Sequence, residues 1–249
     1  METAFLFENL PVIRVDDRFV VFDLDSQRFM ETTEDPRLSK DISQALHHEG
    51  FLPAKLPDAP AKGRYSSVTF LMTMDCNLRC VYCYMKGGEA RDTLSFTKAQ
   101  IVLDYVIEQL PDSRLHIGFH SGEPTMKFGL MRDIIEYAKH RGAQISGSIV
   151  TNGTAPFERY LYLLENGFRF TISLDGDKEI QDKQRPGIGG VSLHEVVERN
   201  VRELAKRTRI TLRPTVSKLG VERSKELIDY FCSLGVSNVY LGDLQEGCG

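Results

Sequence analysis

From Tyr65 onward the apolar positions of this chain alternate between two rhythms. Short apolar runs at Val68–Met74, Leu115–His120, Ile145–Val150, Phe168–Leu174, Ile210–Val216 and Val239–Gly242 read as strands. Between them lie stretches with helical spacing. Thr97–Leu110 places Ile101, Val102, Tyr105, Val106 and Leu110 on one side, with Thr97 at the cap position. Lys127–His140 carries Leu130, Ile134, Ile135 and Tyr137 in the same way. Phe157–Glu165 is stopped by Asn166-Gly167, and Leu193–Lys206 and Arg223–Leu234 complete the series. Repeated strand–helix alternation predicts an α/β fold with a parallel sheet and right-handed crossovers. Five complete units and a sixth strand predict an open, partial (β/α)6 TIM-like barrel rather than a closed eight-stranded one.

The front of the chain has a different pattern. Val12–Val15, Phe19–Phe22 and Arg28–Met30 read as short strands, with Asp16-Asp17 and Asp25-Ser26 as turns. Leu38–His48 reads as a helix ending near Gly50, and residues 53–64, rich in Pro, Ala and Lys, read as a linker. The expected organisation is a small α+β module over residues 1–52, the linker, and the barrel over 65–249. The module either caps the barrel edge or binds an extended peptide by strand addition.

Composition narrows the function classes. The chain has 249 residues, 41% of them hydrophobic, enough for a substantial core, and a formal net charge of −4. No block of Lys and Arg offers a footprint for nucleic acid. No apolar run approaches the ~18 residues that span a bilayer. The first residues lack a basic region and a long apolar core, so the expected home is a reducing cytoplasm, with no membrane partner.

The chemistry concentrates in three of the five cysteines. Cys76, Cys80 and Cys83 form Cys-x3-Cys-x2-Cys directly after the first barrel strand. A tight cluster of thiolates with no neighbouring histidine suits a soft metal centre, iron–sulfur or zinc. Three ligands are one too few for a closed tetrahedral site, so a free corner is expected. An odd cysteine count argues against a disulfide scaffold, the alternative along with a partial zinc knuckle. Cys232 reads as a small buried hydrophobe in an amphipathic helix. The other motif residues, Glu123, Asn152 and Asp175, fall just after strand ends, where parallel folds place their sites.

Further segments follow the triplet in order: Ser121-Gly122-Glu123-Pro124; Thr151-Asn152-Gly153-Thr154; and Ser173-Leu174-Asp175-Gly176, then Asp182, Arg185-Pro186, Gly187 and Gly189-Gly190. Together with the cysteines and Tyr82 they resemble the radical S-adenosylmethionine (radical SAM) superfamily, in which the segment matching Ser121–Pro124 is Gly-Gly-Glu-Pro. The last block resembles the branch of anaerobic sulfatase maturases and peptide maturases that carry a SPASM extension. The resemblance runs from Tyr65 to the end. The front module resembles the leader-peptide-binding module of such maturases.

The resemblance implies a [4Fe–4S] cluster on Cys76, Cys80 and Cys83, with S-adenosylmethionine on the fourth iron. One electron then cleaves the cofactor to a 5′-deoxyadenosyl radical, which takes hydrogen from a peptide or protein substrate. Glu123 is expected to bind the cofactor's ammonium, Gly122 to let backbone approach it, Pro124 to stiffen the turn, and Ser121 to stand where the family has glycine. Tyr82 and Leu212 are expected near the adenine, Ser173 at the ribose or polar end, and Arg185 at the carboxylate. Asn152 and Asp175 read as loop formers, and His116 and His120 as ordinary strand residues. An external electron donor such as flavodoxin or ferredoxin is implied. Enzymes of this branch continue into cysteine-rich segments holding auxiliary clusters. The chain reads as a fragment or short variant of them, with Cys248 either a first auxiliary ligand or a free thiol. The competing readings are a radical enzyme acting on a small metabolite and a non-catalytic metal-binding scaffold. No catalytic acid or base is identifiable.

Overall fold

The computed structural model describes residues 4–7, 10–23, 28–49, 51, 65–236 and 238–243. They fall into two compact units, residues 1–63 and 64–249. The first holds four strands, β1 (Ala4–Phe7), β2 (Leu10–Val15), β3 (Arg18–Asp23) and β4 (Arg28–Thr32), paired antiparallel in chain order, and helix α1 (Lys40–His48). Leu10, Val12, Phe19, Val21, Leu46 and Phe51 form its own small core. The β2–β3 turn is the Asp16-Asp17 pair, with Asp16 at φ 54°, a left-handed conformation that Asp tolerates. Leu38 lies outside α1 and is exposed. The Asp25-Ser26 turn and the linker fall outside the described residues.

The second unit is a six-stranded parallel sheet. Its strands are β5 (Ser67–Leu71), β6 (Arg114–His120), β7 (Gln144–Thr151), β8 (Phe168–Ile172), β9 (Ile210–Leu212) and β11 (Asn238–Val239). They lie in spatial order β5-β6-β7-β8-β9-β11, every neighbouring pair parallel. Helices α2 (Phe96–Ile107), α3 (Phe128–His140), α4 (Phe157–Glu165), α6 (His194–Ala205) and α8 (Ser224–Ser233) connect them. This is the expected open arc of a partial TIM-like barrel.

Side chains of the strands and of the helices interlock in one core. Phe168, Phe170 and Ile172 alternate inward along β8, whereas Arg169 points out. Each buried aromatic or branched side chain contributes about 2 kcal/mol of burial free energy. Gly147 on β7 is needed for this packing. A Cβ there would sit 2.2 Å from the ring of Phe168, which stacks on Phe119 at 5.3 Å between centroids.

Several boundaries differ from the pattern's expectation. The first strand stops at Leu71. Met72 still donates to His120 O at 3.0 Å, but Met74 donates to Asp92 O, so the chain turns out of the sheet toward the cysteines. Ser95, not Thr97, caps α2 by accepting from Lys98 N–H at 3.3 Å. The Ile210–Val216 run is split by Pro214, which lacks an N–H, into β9 and β10 (Thr215–Val216), and β10 pairs with β12 (Gly242–Asp243). A short α7 (Lys218–Glu222) precedes α8. Helix α5 (Lys178–Gln184) was not expected. It carries almost no apolar periodicity, since Gln181 and Gln184 are buried on it beside Ile180, and Asp177 caps it by accepting from Ile180 N–H at 3.1 Å. Cys232 on α8 is exposed, not buried.

Candidate functional site

Loops after β5, β6, β7, β8 and β9 converge on one cavity of about 270 Å3. Cys76, Cys80, Cys83, Tyr82, Ser121, Gly122, Ser173 and Arg185 all line it, so side chains up to 109 residues apart in sequence meet there. A larger depression of about 610 Å3 runs along α6. It carries no thiol, and Glu198 there is held by Arg202 at 2.8 Å, so it has no comparable chemistry.

The cysteine loop is braced by the end of α5. Arg79 N–H donates to Pro186 O at 2.7 Å and Val81 N–H to Gln184 O at 2.9 Å. Leu78 is buried and bridges to Gly187. Cys83 N–H donates to Cys80 O and Lys86 N–H to Cys83 O, a pair of tight turns that hold the last two thiols on one side. The Arg185-Pro186-Gly187 stretch is therefore the strut of a loop a hundred residues earlier.

All three thiols are partly buried. Burial pushes Cys80 up to about 11 and raises Cys76 as well. Without a cation such thiols stay protonated, so they suit a group that supplies positive charge. Cys76 Sγ accepts from Leu78 N–H at 3.4 Å and from Asn152 Nδ2 at 3.8 Å, and Arg185 Nη1 reaches Cys80 Sγ at 3.9 Å. Among the described residues no group of three Cys, His, Asp or Glu side chains closes around a single ion. Three soft donors facing one cavity without sharing a point fit a polynuclear iron–sulfur cluster, in which each thiolate takes its own iron. They fit a single tetrahedral zinc poorly.

Three of the expected contact residues lie outside the cavity lining. Glu123 is only 1% exposed and does not line the cavity. Its carboxylate accepts from Thr125 N–H at 3.0 Å, from the hydroxyls of Thr125 and Thr151, and from Asn152 N–H at 2.7 Å. Burial raises its carboxyl, and those donors pull it back. It clamps the end of β6 to the end of β7. Pro124 is buried in the turn before α3, and Leu212 is fully buried in the core. Arg213, one residue later, lines the cavity instead.

Arg185 is also more engaged than expected. Its Nε lies 2.9 Å from Asp175 Oδ1, a charge contact whose N–H is not aligned as a hydrogen bond. Nη2 donates to Thr215 Oγ1 at 3.2 Å, and the guanidinium lies over the Tyr82 ring, 5.2 Å from its centroid. Tyr82 hydroxyl donates to Asp175 Oδ2, and burial holds that phenol protonated.

Asp175 is thus more than a loop former. Its carboxylate also accepts from Thr215 N–H and from Gln184 Nε2, making it a buried hub. Asn152 likewise donates from Nδ2 to the Cys76 sulfur, and its Oδ1 accepts from Thr154. His120 lines the cavity, and burial together with Arg213 keeps its imidazole below the ordinary range. His116 instead bonds Ser146 and Ser148 on β7. Position just after a strand end is the signal that could have found Arg213 and Thr215.

Ser121 stands at φ 108°, a region that favours glycine. Its hydroxyl gains only a contact to Met74 Sδ at 3.4 Å. Ser121→Gly is expected to stabilise the protein by about 1 kcal/mol, because relief of backbone strain exceeds the extra entropy of glycine in the unfolded chain. A denaturation midpoint that stays put or falls refutes this.

Comparison with known proteins agrees with the geometry. A cysteine-type anaerobic sulfatase-maturating enzyme of Clostridium novyi is 35% identical over 121 residues, 45% of this chain and 32% of that protein. The Fe-coproporphyrin III synthase of Methanosarcina barkeri is 31% identical over 179 residues, 68% of this chain and 41% of that protein. The matched stretches thus span about a third to two fifths of these relatives. Two solved structures share the fold. One is anSMEcpe with bound AdoMet and Cp18Cys peptide, with TM-score 0.66, 21% identity and coverage of 72% of this chain and 51% of that one. The other is Streptococcus suis SuiB bound to precursor peptide SuiA, with TM-score 0.58, 12% identity and coverage of 98% and 64%. The profile of the Radical SAM superfamily matches residues 70–243, from β5 through the last described strand and across every loop of the cavity. The chain belongs to the Radical SAM superfamily.

Proposed function

We propose that this chain is the catalytic barrel of a radical enzyme that modifies a side chain of a peptide or protein. The superfamily's cofactors are a [4Fe–4S] cluster and S-adenosylmethionine. When bound, they supply a 5′-deoxyadenosyl radical that takes a hydrogen atom from the substrate. The observation that carries the reading is the shared cavity: three thiols, no fourth thiol among the described residues, and polar loop ends from four further strands beside them.

Cys76, Cys80 and Cys83 are the residues that would hold the cluster. Ser121, Gly122 and Ser173 offer the polar backbone and hydroxyls beside it for the second cofactor. Leu78 and Thr151, both buried, line the same cavity and help to exclude water from it. The peptide class rests on three names, the sulfatase-maturating relative and the two peptide-bound neighbours, one of which matches nearly the whole chain including the antiparallel front unit. That unit is proposed to receive an extended leader segment by strand addition. A flavodoxin- or ferredoxin-like protein is the proposed electron donor, and a reducing compartment suits thiol-held iron. No helix among the described residues is long and apolar enough to cross a membrane.

The test is anaerobic reconstitution with iron and sulfide, followed by dithionite and S-adenosylmethionine, with chromatography for 5′-deoxyadenosine. Its formation is expected, and a mass change on a candidate precursor peptide then identifies the substrate class. Zinc binding with no iron uptake would sink the radical reading in favour of a scaffold. Turnover of a small molecule with every peptide inert would move the substrate to the metabolite class, of which the coproporphyrin-named relative is an example.

A further inference from the structure

Arg185 is enclosed by protein atoms. Its side chain is 10% exposed and that of Asp175 is fully buried. Each nitrogen of the guanidinium has a protein neighbour: Asp175 Oδ1 for Nε, Thr215 Oγ1 for Nη2 and Cys80 Sγ for Nη1. One face is covered by Tyr82. Asp175 in turn is saturated by Thr215 N–H, Gln184 and Tyr82. A cation locked in this way has little left to offer an incoming carboxylate. It does reach a cluster cysteine directly, with Nη1 3.9 Å from Cys80 Sγ.

We propose that Arg185 is the buried counter-charge of the Cys80 thiolate, raising the reduction potential of the cluster held there, and that Asp175 is the opposing charge that limits the rise. The proposal rests on the cluster reading above. Reduction adds one electron to the cluster, so a fixed positive charge close to a ligand sulfur favours the reduced form. Cluster potentials respond to local charge and to hydrogen bonds at sulfur. The interaction is strong because Arg185 Nη1 and Cys80 Sγ lie only 3.9 Å apart, too close for a water to sit between them. The triplet is asymmetric in this respect: Cys76 receives neutral donors, from Leu78 and Asn152, and Cys80 the charged one.

The experiment is a redox titration of the reconstituted full chain, followed by electron paramagnetic resonance without S-adenosylmethionine. Parent, Arg185→Lys, Arg185→Gln and Asp175→Asn are compared, each with its iron count and its affinity for S-adenosylmethionine. Arg185→Gln is expected to lower the equilibrium constant for reduction about tenfold, which is a shift of about 59 mV to more negative potential for one electron. Arg185→Lys keeps the charge and stays near the parent. Asp175→Asn shifts the opposite way. A role confined to bracing the loop would not move the two substitutions in opposite directions.

An unmoved potential in loaded Arg185→Gln overturns the proposal. If that variant also loses affinity for S-adenosylmethionine, Arg185 returns to the cofactor's carboxylate. Should Arg185→Gln take up no iron, Asp175→Asn decides: a positive shift supports the proposal, and no shift or a negative one overturns it. A parent chain that binds no iron overturns the functional reading itself. A loaded parent with an unmoved Arg185→Gln overturns only this inference.

Discussion

Alanine at Cys76, Cys80 or Cys83, one at a time, is expected to abolish both iron retention and 5′-deoxyadenosine formation, whereas Cys232→Ala leaves both intact. Among the described residues the cavity offers no fourth thiol to stand in for a lost one. Among the described residues the remaining cysteine, Cys232, is exposed on α8 and absent from the cavity lining. Loss of one ligand leaves two thiolates to hold a cluster whose assembly draws its free energy from metal–sulfur bonds. The measurement is iron and sulfide content after anaerobic reconstitution, with chromatography of the nucleoside product. Full iron and full activity in any one of the three variants would contradict the assignment.

Gly122→Ala is expected to cost about 3 kcal/mol of stability and to strip the chain of its cluster, the second large effect. A Cβ at Gly122 would stand 2.2 Å from Asp75 O and 2.9 Å from both Asp75 C and Met74 O. All three atoms are backbone, and none can swing aside. Gly122 N–H donates to Thr73 O and Glu123 N–H to Asp75 O, so the end of β6 is zipped to the cysteine loop at this place. An added methyl must push the two apart and carry Cys76 out of register with Cys80 and Cys83. Gly129→Ala is the control. Nothing lies within 4 Å of a Cβ there, and it sits on α3, where alanine is favoured by about 1 kcal/mol. Denaturant midpoints and iron content read both. A Gly122→Ala chain that unfolds at the parent's midpoint and keeps its iron would show that the close approach is not needed.

The site was legible in the sequence to different depths. The cysteine triplet was readable because ligand spacing is local and chemically unusual. Strands and helices were readable because each buries one face, which forces a period of 2 or 3.6 on the apolar residues. Helix α5 escaped because its buried side chains are glutamines. Gln181 and Gln184 are worth burying only because Asp175 N–H, Asp175 Oδ2 and Thr215 O wait for them across the fold. Glu123 was expected to face a ligand. It faces inward because Thr125, Thr151 and Asn152 converge on it, three residues from two different strand ends. Cys232 reads as buried from its neighbours' periodicity, yet sits on the outer side of α8.

By itself, the sequence determined the order of the six sheet strands and the main helices between them, the parallel sheet they must form and the soft-metal triplet after the first barrel strand. These follow from local periodicity, chain connectivity and the chemistry of sulfur. Only the tertiary structure decided which polar side chains face the cavity and which serve as its frame. That choice depends on partners brought within about 3 Å by folding, because a buried charge or amide is stable only where its complement has been placed. Arg185, Asp175 and Glu123 took their positions from such complements, and no pattern along the chain records them.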